Sequence, residues 1–194
     1  MLKDFFQEAV NTQTAFMNNE TNMQALEQSI QIIIQSLKNG GTIFACGNGW
    51  SHADANHFIA ELTGRYEAER KPLAGIVLSS NPSHMSAVAN DYGYDQVFAR
   101  ELEALGKSGD VLVGISTSGN SGNVIKAVEV AKAKWIKAIW WLGWDGGKLK
   151  DLVDVAIVVQ AWPLLVSGKP TYQIQNLHQS LIHATCKSVE TQIA

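Results

Sequence analysis

The sequence has few cysteines and no long apolar run. Its two cysteines, Cys46 and Cys186, do not form a CxxC pair. A disulfide framework is therefore not expected, and a reducing cytoplasm is the expected location. No uninterrupted apolar stretch reaches the roughly 18 residues of a membrane-spanning helix. The first ten residues also lack the apolar core of a signal peptide.

The sequence has no large excess of charge of either sign. Its formal net charge is −3, which gives no electrostatic reason to expect nucleic acid or an anionic membrane surface as a partner. Residues are 46% hydrophobic, which excludes a disordered chain. Because the 194 residues contain no evident linker or low-complexity segment, we predict one domain spanning 1–194.

A loop without Lys or Arg follows a short apolar run at residues 111–115. It reads Ser-Thr-Ser-Gly-Asn-Ser-Gly over residues 116–122, and an amphipathic run over 124–134 follows it. This order predicts a strand, a loop and a helix. Hydroxyls and unpaired N–H groups at a helix N-terminus favour an anion. Because the GxxxxGK[ST] pattern is absent, the loop favours a sugar monophosphate over a nucleoside triphosphate.

A second loop, within residues 46–58, has the same organisation. An apolar run at 42–45 enters a turn containing Gly47, Asn48, Gly49 and Ser51, and a helical pattern continues to about residue 64. Either loop alone is also compatible with a plain turn and a serine cap. Two such loops together predict ligand groups at the carboxyl ends of parallel strands.

The order of the remaining elements predicts an α/β fold with helices on both faces of a sheet. The leading helices, residues 2–18 and 21–38, have no strand between them and suit packing or oligomer contacts. The pattern predicts strands at 42–45, 73–78, 111–115, 136–142 and 153–159. It predicts further helices at 51–64, 83–89, 95–105, 121–133 and 171–191, with 161–169 irregular.

Two predicted helices carry side chains suited to a metal ion. His57 and Glu61 are four residues apart and share one helix face. On the last helix the same spacing relates Gln175, Gln179 and His183. Two imidazoles and a carboxylate suit zinc, with the amide of Gln175 as a weak fourth ligand. The alternative is an ordinary solvated helix face, on which such His–Glu pairs are common.

Other polar residues have two readings. Asp91, in the Asn-Asp-Tyr-Gly turn at 90–93, is either a capping residue or an acceptor for a sugar hydroxyl. Cys46 is expected to be buried and inert. His52, His84 and His178 have no spacing partner of comparable quality, so we interpret them as structural or rim residues.

Four motifs together resemble the phosphoheptose isomerases of the sugar-isomerase (SIS) superfamily. They are GISTSGNSGN, CGNGWSHADANHF followed by AELTGRY, ANDYG, and the final IQNLH with LIH. The resemblance spans nearly the whole chain. It implies a three-layer αβα sandwich around a five-stranded parallel sheet, with two leading helices, and a homotetramer with active sites between subunits. It also implies conversion of D-sedoheptulose 7-phosphate to D-glycero-D-manno-heptose 7-phosphate for lipopolysaccharide or other surface glycans.

The resemblance also implies roles for individual residues. One zinc ion per subunit would be held by His57, Glu61, Gln175 and His183. Glu61 and His183 would transfer protons, and Glu61 and Gln175 would also contact substrate. Phosphate would be held by Ser51, Ser116, Thr117, Ser118 and Ser121, and the sugar by Asn48, Gly49, Trp50, Asn90 and Asp91.

The chain departs from the family pattern at two site positions. Trp50 stands where the family has a glycine, so the indole is expected to stack on the sugar, narrow the pocket or block it. Tyr172 stands where an aspartate is usual. Trp135, Trp140, Trp141, Trp144 and Trp162 form a cluster in the last third of the sequence, and we expect most of them to be packing residues.

Two non-enzymatic functions are the alternatives. Related tetramers of the superfamily bind the bacterial replication initiator, and they typically lack the acidic residue and the histidine found here as Glu61 and His183. Their presence favours the enzyme. A phosphosugar-binding or sensing module is the third reading, ranked last because no DNA-binding segment precedes the SIS-like part.

Overall fold

The computed structural model describes residues 2–161 and 171–193. The helices and strands in these ranges follow one another in the order α1 (Leu2–Met17), α2 (Glu20–Lys38), β1 (Ile43–Gly47), α3 (Trp50–Thr63), β2 (Gly75–Val77), α4 (Pro82–Tyr92), α5 (Val97–Leu105), β3 (Val111–Ser116), α6 (Gly122–Ala133), β4 (Lys137–Gly143), β5 (Val155–Val159) and α7 (Thr171–Ile193). Short 3₁₀ turns occupy Tyr94–Gln96 and Gly147–Asp151.

The five strands form one parallel sheet in the order β2-β1-β3-β4-β5. The five-stranded parallel sheet expected from the sequence is therefore confirmed. The chain moves outward from β1 to β2 and then returns to place β3 on the other side of β1. This reversal creates a switch point between β1 and β3, where open α/β sheets bind ligands beyond the carboxyl ends of their strands.

Alternating side chains of the buried strands contribute to two separate hydrophobic cores, one on each face of the sheet. In β1, Ile43 and Ala45 join a core with α1, α2, α3 and α7, whereas Phe44 and Cys46 join a core with α4, α5 and α6. Successive side chains of a strand point to opposite faces, so each strand contributes to both layers. The helices that carry the predicted metal ligands, α3 and α7, consequently lie side by side on one face.

A glycine on β3 makes room for a tryptophan on β4. Gly114 pairs with Trp140 in the parallel register, and a Cβ atom on Gly114 would stand 1.8 Å from the indole ring. Trp140 and Trp141 are both fully buried, as expected for packing residues, and Phe58 of α3 meets the ring of Trp141 edge-on at 5.4 Å between centroids. The sheet therefore accepts Trp140 only because its neighbouring strand lacks a side chain at this position, whereas Trp141 packs on the opposite face.

The other tryptophans in the last third of the sequence differ from this pair in burial. Trp144 is half-buried and packs against the α3/α7 core, but Trp135 is 82% exposed in the turn between α6 and β4. Trp135 joins neither core of this chain, because the turn gives it a positive φ of 59° and directs it into solvent. Trp162 lies outside the described residues.

Several element boundaries differ from those predicted. The helix expected at 83–89 runs from Pro82 to Tyr92, since Asn81 caps it and Gly93 ends it. The strand expected at 73–78 is confined to Gly75–Val77 at the sheet edge. In the described part of the chain, every helix falls short of the length and apolarity that crossing a membrane would require.

Candidate active site

The loop of residues 116–122, called the serine loop below, lies at the carboxyl end of β3. Ser116 is buried, and its Oγ accepts a 3.1 Å hydrogen bond from the N–H of Gly119. Gly119 has a φ of 63°, and a Cβ atom there would stand 2.0 Å from the carbonyl oxygen of Gly146. Only glycine satisfies both conditions, so the loop closes tightly over its first serine.

The turn at Gly147–Asp151 holds the serine loop from outside. The N–H of Leu149 donates to the carbonyl of Gly119 at 3.0 Å, and the N–H of Lys148 donates to Oδ1 of Asn120 at 3.1 Å. Neither contact uses a hydroxyl of the serine loop. The serine loop is therefore a braced structure rather than a free surface segment.

The N-terminus of α6 offers donors for an anion. Ser121 is its N-cap residue, and the Ser121 side chain makes no capping hydrogen bond within the described chain. Beside the loop lies a cavity of about 580 Å³, lined by Thr117, Ser118, Asn120, Trp144, Asp145, Gln160, Ala161 and Thr171. This volume is typical of small-molecule sites, which span roughly 300–1,000 Å³. Ser121 and the first turn of α6 are not among the residues that line this cavity, and the unpaired N–H groups at that helix N-terminus favour a phosphate group on their own.

The first loop is joined to the serine loop by a pair of amides. Asn48 Nδ2 donates to Asn123 Oδ1 at 2.9 Å, and Asn123 Nδ2 donates back to Asn48 Oδ1 at 2.8 Å. The hydroxyl of Tyr94 donates to the same oxygen of Asn48 at 3.1 Å. The two loops predicted to lie together therefore meet across the switch point. Asn123 and Tyr94 were not identified as site residues from the sequence, although Asn123 closes the GISTSGNSGN motif.

The start of α3 places three predicted site residues at this edge. Gly49 is the N-cap residue with a φ of 55°, and Ser51 is 5% exposed within the first turn. Trp50 stands between them with 68% of its surface exposed. The indole therefore projects into solvent rather than filling the core, where it is available to contact a ligand or a neighbouring subunit.

Asn90 and Asp91 lie within the last turn of α4. The expectation that Asp91 occupies a turn is wrong, because the helix continues to Tyr92. Both residues are exposed, and Asn90 Nδ2 donates to Asp91 Oδ1 at 2.8 Å. Asp91 lines a groove between α4 and α5. Within this chain, neither side chain contacts the serine loop.

His57, Glu61, Gln179 and His183 form the acid–base cluster on adjacent faces of α3 and α7. His57 Nε2 lies 3.1 Å from Glu61 Oε1, and His57 Nδ1 lies 2.9 Å from Gln179 Oε1. The ring of His183 meets that of His57 edge-on, with 5.1 Å between centroids. His57 and Glu61 are only partly buried, and His183 is exposed. The structure thus brings together three of the four predicted metal ligands.

Gln179 and Asp54 form a second layer behind His57. Gln179 Nε2 donates to Asp54 Oδ1, so an unbroken chain of contacts runs from Asp54 through Gln179 to His57. Asp54 is fully buried, and its Oδ2 has no hydrogen-bond partner within the described residues. Burial raises the pKa of Asp54 to about 6, against the opposing effects of the Gln179 hydrogen bond and nearby His57.

Gln175 does not reach this cluster. It lies half-buried one turn before Gln179 and makes no hydrogen bond to another described residue. Within the described ranges, no three His, Cys, Asp or Glu side chains surround a common point as metal ligands do. His57 instead bonds directly to both Glu61 and Gln179. Asp54 was missed from the sequence, although it precedes His57 by three positions on the same helix face.

The remaining candidates have structural roles. His178 is fully buried and its Nε2 bonds to the carbonyl of Leu142 at 3.2 Å. His84 Nε2 bonds to the carbonyl of Val97 at 3.1 Å. Burial raises the pKa of the Cys46 thiol far above its usual value, which confirms an inert cysteine. Tyr172 donates to Glu8 at 3.0 Å and stacks on Phe5, so it fastens α7 to α1.

Comparison with known proteins agrees with this geometry. The family model of the SIS domain matches residues 4–139. A phosphoheptose isomerase of Helicobacter pylori (strain P12) is 50% identical over 175 residues, covering 90% of this chain and 88% of the relative. One from Aeromonas hydrophila subsp. hydrophila is 45% identical over 194 residues, covering 100% and 97%.

A solved structure is similar over the same extent. The phosphoheptose isomerase GmhA from Neisseria gonorrhoeae superposes with a TM-score of 0.87 and is 39% identical, covering 98% of this chain and 97% of that one. Sequence and fold therefore agree over essentially the full length. The chain belongs to the SIS-domain family and, within it, to the phosphoheptose isomerases.

Proposed function

We propose that this chain is an aldose–ketose isomerase that converts D-sedoheptulose 7-phosphate to D-glycero-D-manno-heptose 7-phosphate. The observation that carries the proposal is the acid–base cluster on α3 and α7. A phosphate-binding loop alone would serve a sensor or a binding protein equally well. The name phosphoheptose isomerase, borne by relatives up to 50% identical, supports the substrate.

The serine loop suits the phosphate of this substrate. Its hydroxyls at Thr117, Ser118 and Ser121 and the amides at the start of α6 are neutral donors, which bind a monophosphate without a lysine. Ser51 adds a hydroxyl from the first loop. Binding the phosphate at this edge orients the sugar chain, so that the reacting carbons meet the acid–base groups in one position.

Glu61 and His183 suit the proton transfers. A base removes a proton from C1, next to the C2 carbonyl, and an enediol forms. The proton then returns to C2, while the hydroxyl protons redistribute between the two oxygens. A carboxylate serves the carbon and an imidazole serves the oxygens. Gln179 orients the ring of His57 beside them, and Asp54 orients Gln179.

The donor set at the cluster fits zinc chemically. His57, Glu61 and His183 would supply two imidazoles and a carboxylate, with Gln175 as a fourth donor one turn away on α7. Gln179 Oε1 accepts from Nδ1 of His57 in that state, which leaves Nε2 for the metal. When bound, zinc supplies a Lewis acid that polarises the sugar carbonyl. Glu61 would hold the metal and would also serve as the base, so its carboxylate would have two roles.

A homotetramer with shared sites is part of the proposal. Ser51 and Glu61 are ten residues apart on α3, which places them about 15 Å apart along the helix axis. We propose that the two ends of α3 serve different sites: one subunit binds the phosphate and a neighbouring subunit supplies Glu61 and His183.

The product would feed synthesis of nucleotide-activated heptose for the lipopolysaccharide core, in the cytoplasm. The replication-initiator-binding alternative is disfavoured by the presence of both Glu61 and His183 on facing helices.

The test follows aldose formation from D-sedoheptulose 7-phosphate with purified, zinc-supplemented protein. Product is expected, and its absence from a folded, zinc-loaded protein would contradict the proposal. Sharing of the site is tested by mixing two inactive variants, Ser116→Ala/Ser121→Ala and Glu61→Gln, after unfolding and refolding together. Restored activity in the mixed oligomer is expected, and a mixture as inactive as its components would place each site within one subunit.

A further inference from the structure

A buried arginine caps the end of α3 that carries Glu61. The guanidinium of Arg70 donates to the carbonyl of Glu61 at 2.5 Å and to that of Leu62 at 2.9 Å. A third donation, at 3.0 Å, goes to the carbonyl of Lys71. The last carbonyls of a helix have no partner within the helix, so these bonds help to place the last turn of α3, together with the 3.0 Å bond from the N–H of Leu73 to the carbonyl of Leu62.

A buried glutamate on α7 holds the segment that contains Arg70. Both carboxylate oxygens of Glu190 accept from consecutive backbone N–H groups, those of Tyr66, Glu67 and Ala68, at 2.9–3.3 Å. Glu190 Oε1 also lies 3.5 Å from Arg70 Nε, and both side chains are at most 6% exposed. Three successive N–H groups form a site for an anion. Together Arg70 and Glu190 are called the clamp.

The clamp connects the two helices of the acid–base cluster. At one end it bonds to the backbone of Glu61. At the other it begins seven residues, or about two helical turns, after His183 on α7. Tyr66, whose N–H donates to Glu190, lays its ring 5.9 Å from the ring of His183. Movement of the clamp would therefore displace Glu61 and the ring beside His183 together.

Stability alone is a poor explanation for a pair buried in this way. Removing two charges from water is costly, and well-packed apolar residues of similar volume often stabilise a protein as well or better. What apolar residues cannot do is bond to the carbonyl of Glu61 and to three N–H groups at once. The polar pair therefore supplies geometry that a hydrophobic contact would not.

We propose that Arg70 and Glu190 are positioning residues that set the relative placement of Glu61 and His183. The proposal rests on the proposed function, since it assigns the clamp a role in that reaction. The two residues do not touch the substrate. They act through the last turn of α3 and through Tyr66.

A second ion pair between the same segments provides a matched control. Lys187 of α7 bonds to Glu67, but both side chains are 56% exposed and neither contacts a carbonyl of α3. Lys187→Met therefore removes a surface link between α7 and the 64–70 segment and leaves the clamp in place. Exposed pairs of this kind contribute little to stability.

The experiment compares Glu190→Gln and the double variant Arg70→Met/Glu190→Leu with Lys187→Met and the unmodified protein. It measures kcat and KM, zinc affinity by competition with a coloured chelator, and the imidazole NMR signals of His183. For both clamp variants we expect kcat to fall about tenfold or more, zinc affinity to weaken about tenfold, and the His183 signals to shift. KM should change less, and Lys187→Met should match the unmodified protein.

The double variant keeps the test valid if Glu190→Gln is unstable, because an apolar pair avoids an uncompensated charge. Unchanged kcat, zinc affinity and His183 signals in a folded clamp variant would overturn the proposal and leave the clamp a purely structural contact. The NMR measurement requires neither turnover nor zinc. If the protein makes no aldose, the proposed function is contradicted, but the His183 signals still test the role of the clamp.

Discussion

The serine loop and the acid–base cluster are built in opposite ways. In the serine loop, neighbouring residues bond to one another, as Gly119 does to Ser116 three positions earlier. In the cluster, His57 meets Gln179 across 122 positions of sequence. The loop is therefore shaped by bonds between near neighbours and by the Gly147–Asp151 turn that braces it, and the cluster is shaped by how α3 packs on α7. A change in helix packing should disturb the chemistry while leaving phosphate binding intact.

The largest effect should come from the carboxylate of the cluster. We expect Glu61→Gln to reduce kcat by about 10²–10⁴, the usual consequence of losing an acid–base group, while phosphosugar binding persists. Steady-state aldose formation and calorimetric binding measure the two properties. Glu69→Gln, in the exposed segment after α3, is the control. Near-normal turnover of Glu61→Gln would remove this residue from the mechanism.

A buried histidine between α7 and β4 should make the stability of the protein depend on pH. His178 anchors the inner face of α7 to the end of β4, and burial lowers its pKa to about 4 from 6.5. The unfolded chain therefore binds more protons between these values, so stability falls as pH decreases. We expect the titration of His178 to lower the unfolding free energy by about 2 kcal/mol between pH 7 and pH 5. The raised pKa of Asp54 should offset part of this loss, because the folded chain binds that proton more readily than the unfolded chain.

Urea unfolding at the two pH values measures this loss. His178→Gln keeps a donor for the carbonyl of Leu142 but cannot titrate, so the change in its unfolding free energy between the two pH values should differ from that of the unmodified protein by about 2 kcal/mol. His84→Gln removes another histidine bonded to a backbone carbonyl and should retain the full difference. Equal pH dependence in His178→Gln and the unmodified protein would show that other groups are responsible.

Smaller effects are expected from two serine variants of the serine loop, which should distinguish a role in phosphosugar binding from a role in stability. The Ser121 side chain makes no capping bond in the described chain, so Ser121→Ala should leave thermal stability unchanged and weaken phosphosugar binding about tenfold. Ser116→Ala should reduce both, because its hydroxyl also bonds to Gly119. Calorimetry and thermal unfolding test the pair, with the exposed Ser86→Ala as control. Unchanged binding in Ser121→Ala would argue against the assigned phosphate site.

The smallest effect is expected at the entrance to the first loop. We expect Trp50→Gly to raise turnover within about tenfold or to broaden the range of ketose phosphates accepted, because the exposed indole restricts the approach. Steady-state kinetics with sugar phosphates of different lengths measure both. Trp135→Gly, which removes another indole that is exposed in the described part of the chain, is the control. A large loss of activity in Trp50→Gly would make Trp50 a positive part of the site.

The local features were predictable because their signals are local. Both loops follow apolar runs that form β1 and β3, and their serines and glycines lie where the sequence predicted. The sheet with helices on both faces followed from the alternation of strands and helices. The end of α4 was misplaced because Asn90 and Asp91 favour turns, whereas the helix continues to Gly93.

The long-range features were only partly predictable. Helical spacing brought Gln175, Gln179 and His183 to one face of α7, but it could not show which glutamine meets His57. That choice depends on the crossing of α3 and α7, which puts Gln179 beside His57 and Asp54. Asp54 gave no sign of burial in the sequence, because an aspartate on a helix is usually solvated.

The contact between Gly114 and Trp140 constrains how this sequence can evolve. A first mutation at Gly114 introduces a side chain into the space held by the indole, and a first mutation at Trp140 empties a fully buried volume. Each replacement is harmful unless the other has already occurred. The two positions should therefore change together across lineages, and a homologue that has lost the tryptophan should be the one free to carry a larger residue on the neighbouring strand.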